Sequence, residues 1–244
     1  MNSTDSEVSS MGPRQDPMGI SSIISPNVGH GGHDIATTSG SKLHNVEYSL
    51  KIRQQPIAAR SCGLGEKDRR VIDPPPVVQL MIKGPNLAHS RYERLLHGNQ
   101  YIMNCSLYDD SGSEVATFIT KQGRQERQLL GTLISTPFVG KDEHGQEGCF
   151  FCFPDLSCRI PGSFRLKFRL VEIDPTRTDT VKRFPELAEV NSYIFTVHNA
   201  KDFPGIQAST ELVKRLRDQG CIIPIKKGVK SNNARRHDYL NDEE

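Results

Sequence analysis

VEYSLKIR, at 46–53, decides the fold. Val46, Tyr48, Leu50 and Ile52 alternate with Glu47, Ser49, Lys51 and Arg53, a period of two that belongs to a strand with one buried face. FRLKFRLVEI (164–173) repeats the pattern, with Phe164, Leu166, Phe168 and Leu170 on one face and Arg165, Lys167 and Arg169 on the other. Shorter apolar runs predict further strands at 77–82 (VVQLMI), 101–108 (YIMNCSLY), 115–120 (VATFIT), 129–136 (LLGTLIST), 149–153 (CFFCF) and 193–198 (YIFTVH). DDSG at 109–112 is a turn signal that makes a hairpin of two of them. IIPIKK (222–227) reads as a closing strand, placed at an edge because Pro224 has no amide donor. One helix is expected, at about 209–219. Ser209 would be its N-cap, Gly220 its C′ residue, and Leu212, Val213 and Leu216 its buried stripe. Many short strands, little helix and no βαβ alternation define an all-β fold with a small helical component, a sandwich of antiparallel sheets.

Working outward, residues 1–44 are rich in Ser, Gly, Pro, Asn and Thr and carry no periodicity. Such a segment buries too little apolar surface to offset the entropy of ordering, so it is expected to be a disordered tail. The ordered domain is placed at 45–229, followed by a flexible, charged C-terminal tail at 230–244. His30, His33 and His44 lie in or beside the first tail without the clustering that metal ligation needs. The opening MNSTDSEVSS has neither a basic nor an apolar signal region, and no run approaches the ~18 apolar residues of a membrane span. The expectation is an intracellular chain whose six cysteines are reduced thiols.

Catalytic signatures are missing. No phosphate-cradling glycine motif, G-x-S-x-G elbow or H-E-x-x-H pair occurs, so neither an enzyme nor a cofactor is expected. The nearest approach to a metal motif is Cys149-Phe-Phe-Cys152, with Cys158 after it and His144 before it. On a strand, Cys149 and Cys152 point to opposite faces and cannot share an ion, so no metal site is expected. Cys62 differs: Arg60, Lys67, Arg69 and Arg70 surround it in sequence, and cations favour a reactive thiolate. The alternative is a small half-buried residue.

A net charge of +2 says nothing about partners; placement does. Between Lys51 and Arg70 there are six basic residues (Lys51, Arg53, Arg60, Lys67, Arg69, Arg70) against Glu66 and Asp68. Most occupy a glycine-containing loop held by a strand on one side and by Asp73-Pro74-Pro75-Pro76 on the other. Prolines fix φ, so the loop is pre-positioned and loses less entropy on binding. Its arginines can fork onto guanine or phosphate and Lys67 can meet a phosphate; a solvated polar loop is the alternative. Two further groups are Arg165, Lys167 and Arg169, for which a solvated sheet face is the default, and a C-terminal set. The latter comprises Lys214, Arg215, Arg217, Lys226, Lys227, Lys230, Arg235 and Arg236, ending in the import-signal-like KKGVKSNNARR.

Three segments resemble one family. YSLKIRQQPIAARSCGLGEKDRRVIDPPPVVQL (48–80), GCFFCFPDLSCRIPGSFRLKFRLVEI (148–173) and FTVHNAKDFPGIQASTELVKRLRDQGCIIPIKK (195–227) are similar, in order, to the elements of the velvet domain of fungal regulators. The resemblance implies an immunoglobulin/Rel-like sandwich that binds double-stranded DNA and pairs with itself or another velvet protein. It further implies a nuclear regulator of development, sporulation and secondary metabolism. The family's DNA-contacting loop maps onto Lys67, Arg69 and Arg70, with Arg53 and Arg60 as supporting contacts. One departure is Gly65, where some members carry a lysine, which removes one phosphate contact. The single domain and short tails look closer to the spore-viability branch than to members with long C-terminal extensions. A protein-interaction adaptor that leaves DNA to its partner is the competing reading.

Overall fold

The computed structural model describes residues 46–63, 69–113, 115–121, 123–173 and 184–228. Both expected tails, Lys67, Gly65 and the tail histidines lie outside these residues. The strands are β1 (Glu47–Gln54), β2 (Ala58–Arg60), β3 (Val77–Lys83), β4 (Tyr101–Asp109), β5 (Phe118–Lys121), β6 (Arg124–Arg127) and β7 (Leu129–Leu130). They continue as β8 (Ile134–Ser135), β9 (Phe138–Lys141), β10 (Glu147–Cys152), β11 (Ser157–Cys158), β12 (Gly162–Glu172), β13 (Glu186–Asn191) and β14 (Phe195–His198). Helices α1 (His89–Leu96) and α2 (Glu211–Asp218) complete the set.

Two sheets share one core. The first runs β1-β3-β10-β9; the second runs β2-β14-β12-β4-β8, with β13 also paired to β12. β12 is the spine of the second sheet. It pairs with β4 along 164–172 on one edge, and with β14 and then β13 on the other. Its predicted apolar face is buried, with Leu166, Phe168 and Leu170 wholly inside beside Cys105 and Leu107. From the first sheet, Val78, Leu80 and Phe151 meet them, and the Phe153 and Phe168 rings lie 5.1 Å apart across the interface. Each such side chain contributes about 1.5–3 kcal/mol by leaving water. The alternating face of β1 (Tyr48, Leu50, Ile52) packs against the same core, as its period demands.

CFFC is apolar throughout because both faces of β10 are covered. Cys149 and Phe151 face the main core, whereas Phe150 and Cys152 face a second cluster under α2, formed by Leu212, Val213, Leu216, Cys221 and Ile223. The two cysteines of the motif therefore sit in separate clusters.

Several elements differ from the sequence reading. Residues 129–136 are two strands, broken at Gly131, whose φ of +109° no strand residue adopts. In VATFIT only Phe118 onward is strand, and Val115 contributes a lone bridge to Tyr108, which keeps the hairpin sense of the DDSG turn. IIPIKK forms no strand: Lys227 makes a single bridge to Ala208. The α2 cap is Thr210, which accepts from the Val213 amide, while Ser209 accepts from the Lys226 amide instead. β2 pairs with β14 in parallel, so the sheets are not wholly antiparallel. A second helix, α1, is present where none was expected; its entry residue Ala88 offers no side-chain cap to announce it.

Candidate nucleic-acid interface

The basic loop stands on two feet. On the ascending side Ser61 N donates to His198 O (2.8 Å), Cys62 N to Cys158 O (3.0 Å) and Gly63 N to Arg159 O (2.9 Å). On the descending side Ile72 N donates to Leu156 O (2.7 Å) and Asp73 N to Ala58 O (2.8 Å). Both feet thus rest on residues 156–159 and on β2, and their backbone groups are paired by the sheet rather than by water.

Arg69 and Arg70 leave this platform on the exposed side. The Arg69 Nε donates to Ser157 Oγ (2.7 Å), and its terminal nitrogen donates to the Asp155 carbonyl and lies 3.5 Å from the Asp155 carboxylate. The side chain keeps 34 % of its surface open, so it is oriented without being buried. Arg60 ends β2, half-buried opposite His198 in the parallel pair. Arg159 joins them, a residue the sequence reading passed over. Its Nε donates to Arg127 O (2.8 Å) and its terminal nitrogen to Gly63 O (3.3 Å), bracing the ascending foot. No sequence pattern links Arg159 to a loop 96 residues earlier; only the β11 register does.

Arg53 has another task. It extends from β1 to Gln79 Oε1 (2.6 Å), Glu143 Oε1 (2.8 Å) and Asp142 Oδ2 (3.3 Å), with 12 % of its side chain exposed. Its charge is neutralised at the turn joining β9 and β10, away from the loop's anchoring segment. Burial alone would raise the Asp142 pKa. The Gln146 and His144 amides, each 2.9 Å away, and the Arg53 guanidinium overcome that and hold it below the usual carboxylate value. A carboxylate depressed on folding stabilises at pH above its unfolded pKa, ~3.9, and that stabilisation is lost as pH falls through the folded value. Asp142→Asn is therefore expected to destabilise at pH 7 and to do so less at pH 3. Urea titrations at the two pH values measure the gap; an equal gap at both would contradict the assignment.

Several of the other basic residues are engaged. Glu189 lies 3.7 Å from Lys167 and 3.4 Å from Arg169, and Arg165 donates to the carbonyls of Asp110 and Ser192. The partner strand β13 (ELAEVN), unrecognised in the sequence, supplies those carboxylates. In the C-terminal group Lys214 pairs with Glu211 (2.6 Å) and Lys226 with buried Asp73 (2.7 Å), while Arg217 donates to Ile223 O (2.7 Å). Cys62 is half-buried with its thiol 3.3 Å from Cys158 O. Among the described residues Glu93, His97 and Glu147 bring ligand atoms within 4.8 Å of one another on the surface, with His97 Nε2 3.5 Å from Glu93 and 3.9 Å from Glu147.

The class defined by fold and loop is a β-sandwich that presents a strand-anchored cationic loop. The Velvet factor family model matches residues 48–127 and 114–230, and the chain belongs to that family. It is similar to the sexual development regulator velC of Gibberella moniliformis, 56 % identical over 239 residues, covering 97 % of this chain and 51 % of that protein. It is also similar to the spore development regulator vosA of Beauveria bassiana, 48 % identical over 215 residues (88 % of this chain, 78 % of the relative). A third relative, the developmental and secondary metabolism regulator VEL1 of Hypocrea jecorina, is 33 % identical over 196 residues, 75 % of this chain and 34 % of that protein. The chain thus spans about half the length of the first relative. All three are named as regulators; because their names span sexual development, spore development, and development with secondary metabolism, the branch is not singled out.

Proposed function

We propose that this chain is a nuclear, sequence-specific DNA-binding regulator of fungal development, sporulation and secondary metabolism, acting as a velvet homo- or heterodimer. The observation that carries the reading is the two-footed anchoring of the basic loop on residues 156–159, with Arg69 and Arg70 exposed beside it. Fixing the two ends of a basic segment lowers the entropy it loses on meeting a duplex. Backbone contacts would set its register and an arginine fork would read a base edge. Lys67, Arg69 and Arg70 are assigned to the duplex, with Arg60 and Arg159 holding the platform; Arg53 supports it only through the sheet.

The triple variant Lys67→Glu, Arg69→Glu, Arg70→Glu is expected to weaken duplex binding more than ~100-fold while keeping a native melt. Loss of three phosphate-range cations should also lower the log–log salt slope by roughly 3 × 0.9. Anisotropy titrations against duplexes selected from a random pool measure both. Affinity unchanged at moderate salt would remove the loop from the interface.

The adaptor reading draws on exposed apolar side chains: Tyr193 is 71 % and Ile222 90 % exposed. Partner capture by a chain that shows no duplex affinity in the same titration would favour it.

A further inference from the structure

We propose that Cys152 and Cys221 form an oxidative modification site, a dithiol that hydroperoxides convert to an intramolecular disulfide. The two free sulfurs lie 3.3 Å apart, brought together across 69 residues by the packing of α2 on β10. A disulfide bond is about 2.05 Å long, so closure needs an approach of little more than ~1 Å. The turn after α2 fixes the geometry from the other side: Gly220 takes φ +101°, and Cys221 N donates to Leu216 O (3.0 Å).

A groove beside Cys221, itself 5 % exposed, separates this pair from the three thiols of the main core. Cys221 lines an open groove of about 490 Å³ together with Pro154, Asp155, Arg217, Gly220 and Ile223, roomy enough for a peroxide. The Sγ–Sγ hydrogen bond between the two thiols holds Cys221 below the ordinary thiol value, and the same contact together with burial pushes Cys152 up. Thiolate is the attacking form, so Cys221 reacts first. Cys105, Cys149 and Cys158 lie inside the main core, where burial raises their thiols, that of Cys149 to about 12.

The steps balance. The Cys221 thiolate attacks the peroxide O–O bond, taking one oxygen to become a sulfenic acid while the other leaves as hydroxide and is protonated to water. The Cys152 sulfur, losing its proton, then attacks the sulfenic sulfur. The S–S bond forms and a second hydroxide leaves as water, so two thiols lose two electrons and the peroxide gains them. The product staples α2 and the C-terminal segment to β10, two residues before Pro154 and three before Asp155. Asp155 is the residue that holds Arg69.

Treatment of the full chain with one to five equivalents of hydrogen peroxide, quenched with a maleimide and mapped by mass spectrometry, tests the proposal. The expected result is loss of two alkylatable thiols and appearance of one Cys152–Cys221 linked peptide, reversed by dithiothreitol. Closing so long a loop should raise Tm by roughly 5–10 °C. Cys152→Ser should stop the reaction at a dimedone-reactive sulfenic acid on Cys221. Cys221→Ser should abolish the cross-link, and Cys62→Ser should leave it intact. If the serine hydroxyls disturb the cluster, as judged by a lowered melt, the alanine variants serve the same purpose. Both thiols remaining alkylatable, or a cross-link mapping to Cys62, would overturn it.

Discussion

Asp73→Ala is expected to cost about 3 kcal/mol of stability, the lower end of the 3–5 kcal/mol seen when one member of a buried ion pair is removed. The Asp73 residue is 2 % exposed, and its carboxylate accepts from Lys226 Nζ (2.7 Å) and from Gln207 N (2.6 Å). Removing it leaves an ammonium with 16 % side-chain exposure and a backbone amide without their acceptor. Partial water access to Lys226 is the reason for choosing the lower end. For a domain of this size the loss corresponds to a fall in Tm of roughly 6–12 °C. Asp73→Asn keeps an acceptor for Gln207 but no charge, so it should fall between alanine and wild type. The double variant Asp73→Ala with Lys226→Met should recover much of the loss, because the cost lies in the orphaned charge. A single Asp73→Ala variant melting within ~2 °C of wild type would show that the pair is not a strut.

That residue also shows what the sequence could and could not convey. D-P-P-P was legible as a rigid extended boundary because proline acts locally. That Asp73 is the hub of that boundary was not legible, since its partners Gln207 and Lys226 lie 134 and 153 residues away. Gln54 is similar: its side chain links Pro75 O (2.7 Å) to the Thr210 cap hydroxyl (2.7 Å), joining the first strand, the prolines and α2. The faces of β1 and β12 and the apolar stripe of α2 followed from period alone, because one-sided burial imposes that period. Short elements did not: β7, β8 and β11 are two residues each and exist only through their partners. The charge argument divided along the same line. Clustered cations mark where a loop is basic, but whether each is free depends on carboxylates remote in sequence. Asp142 and Glu143 engage Arg53, while on β13 Glu189 engages Lys167 and, with Glu186, Arg169. Arg69 stays distinct because Asp155 orients it while leaving 34 % of its side chain open.

Gly131→Ala should disturb fold and interface together. At φ +109° any side chain is strained, and a Cβ built there would stand 2.5 Å from the Asp155 carbonyl oxygen and 2.7 Å from the Arg69 terminal nitrogen. The arginine can swing aside. The carbonyl cannot move cheaply, because the Asp155 carboxylate is fixed by the Thr132 amide (3.0 Å) and hydroxyl (3.1 Å). Backbone strain of ~1–3 kcal/mol and overpacking of ~1–3 kcal/mol add to an expected loss of about 3 kcal/mol. The displaced guanidinium would lose its Asp155 and Ser157 anchors, so duplex affinity should fall as well, measured where the variant is still fully folded. Thr132→Val provides the contrast, since it removes one hydroxyl from Asp155 without touching Arg69 and should change affinity far less. If Asp155 and Gly131 act through Arg69, adding Arg69→Glu to Gly131→Ala should weaken binding by less than the sum of the two single effects, because neighbours sharing one contact are not additive. A lowered melt with full duplex affinity would instead make the Arg69–Asp155 contact purely structural and leave Lys67 and Arg70 to carry recognition.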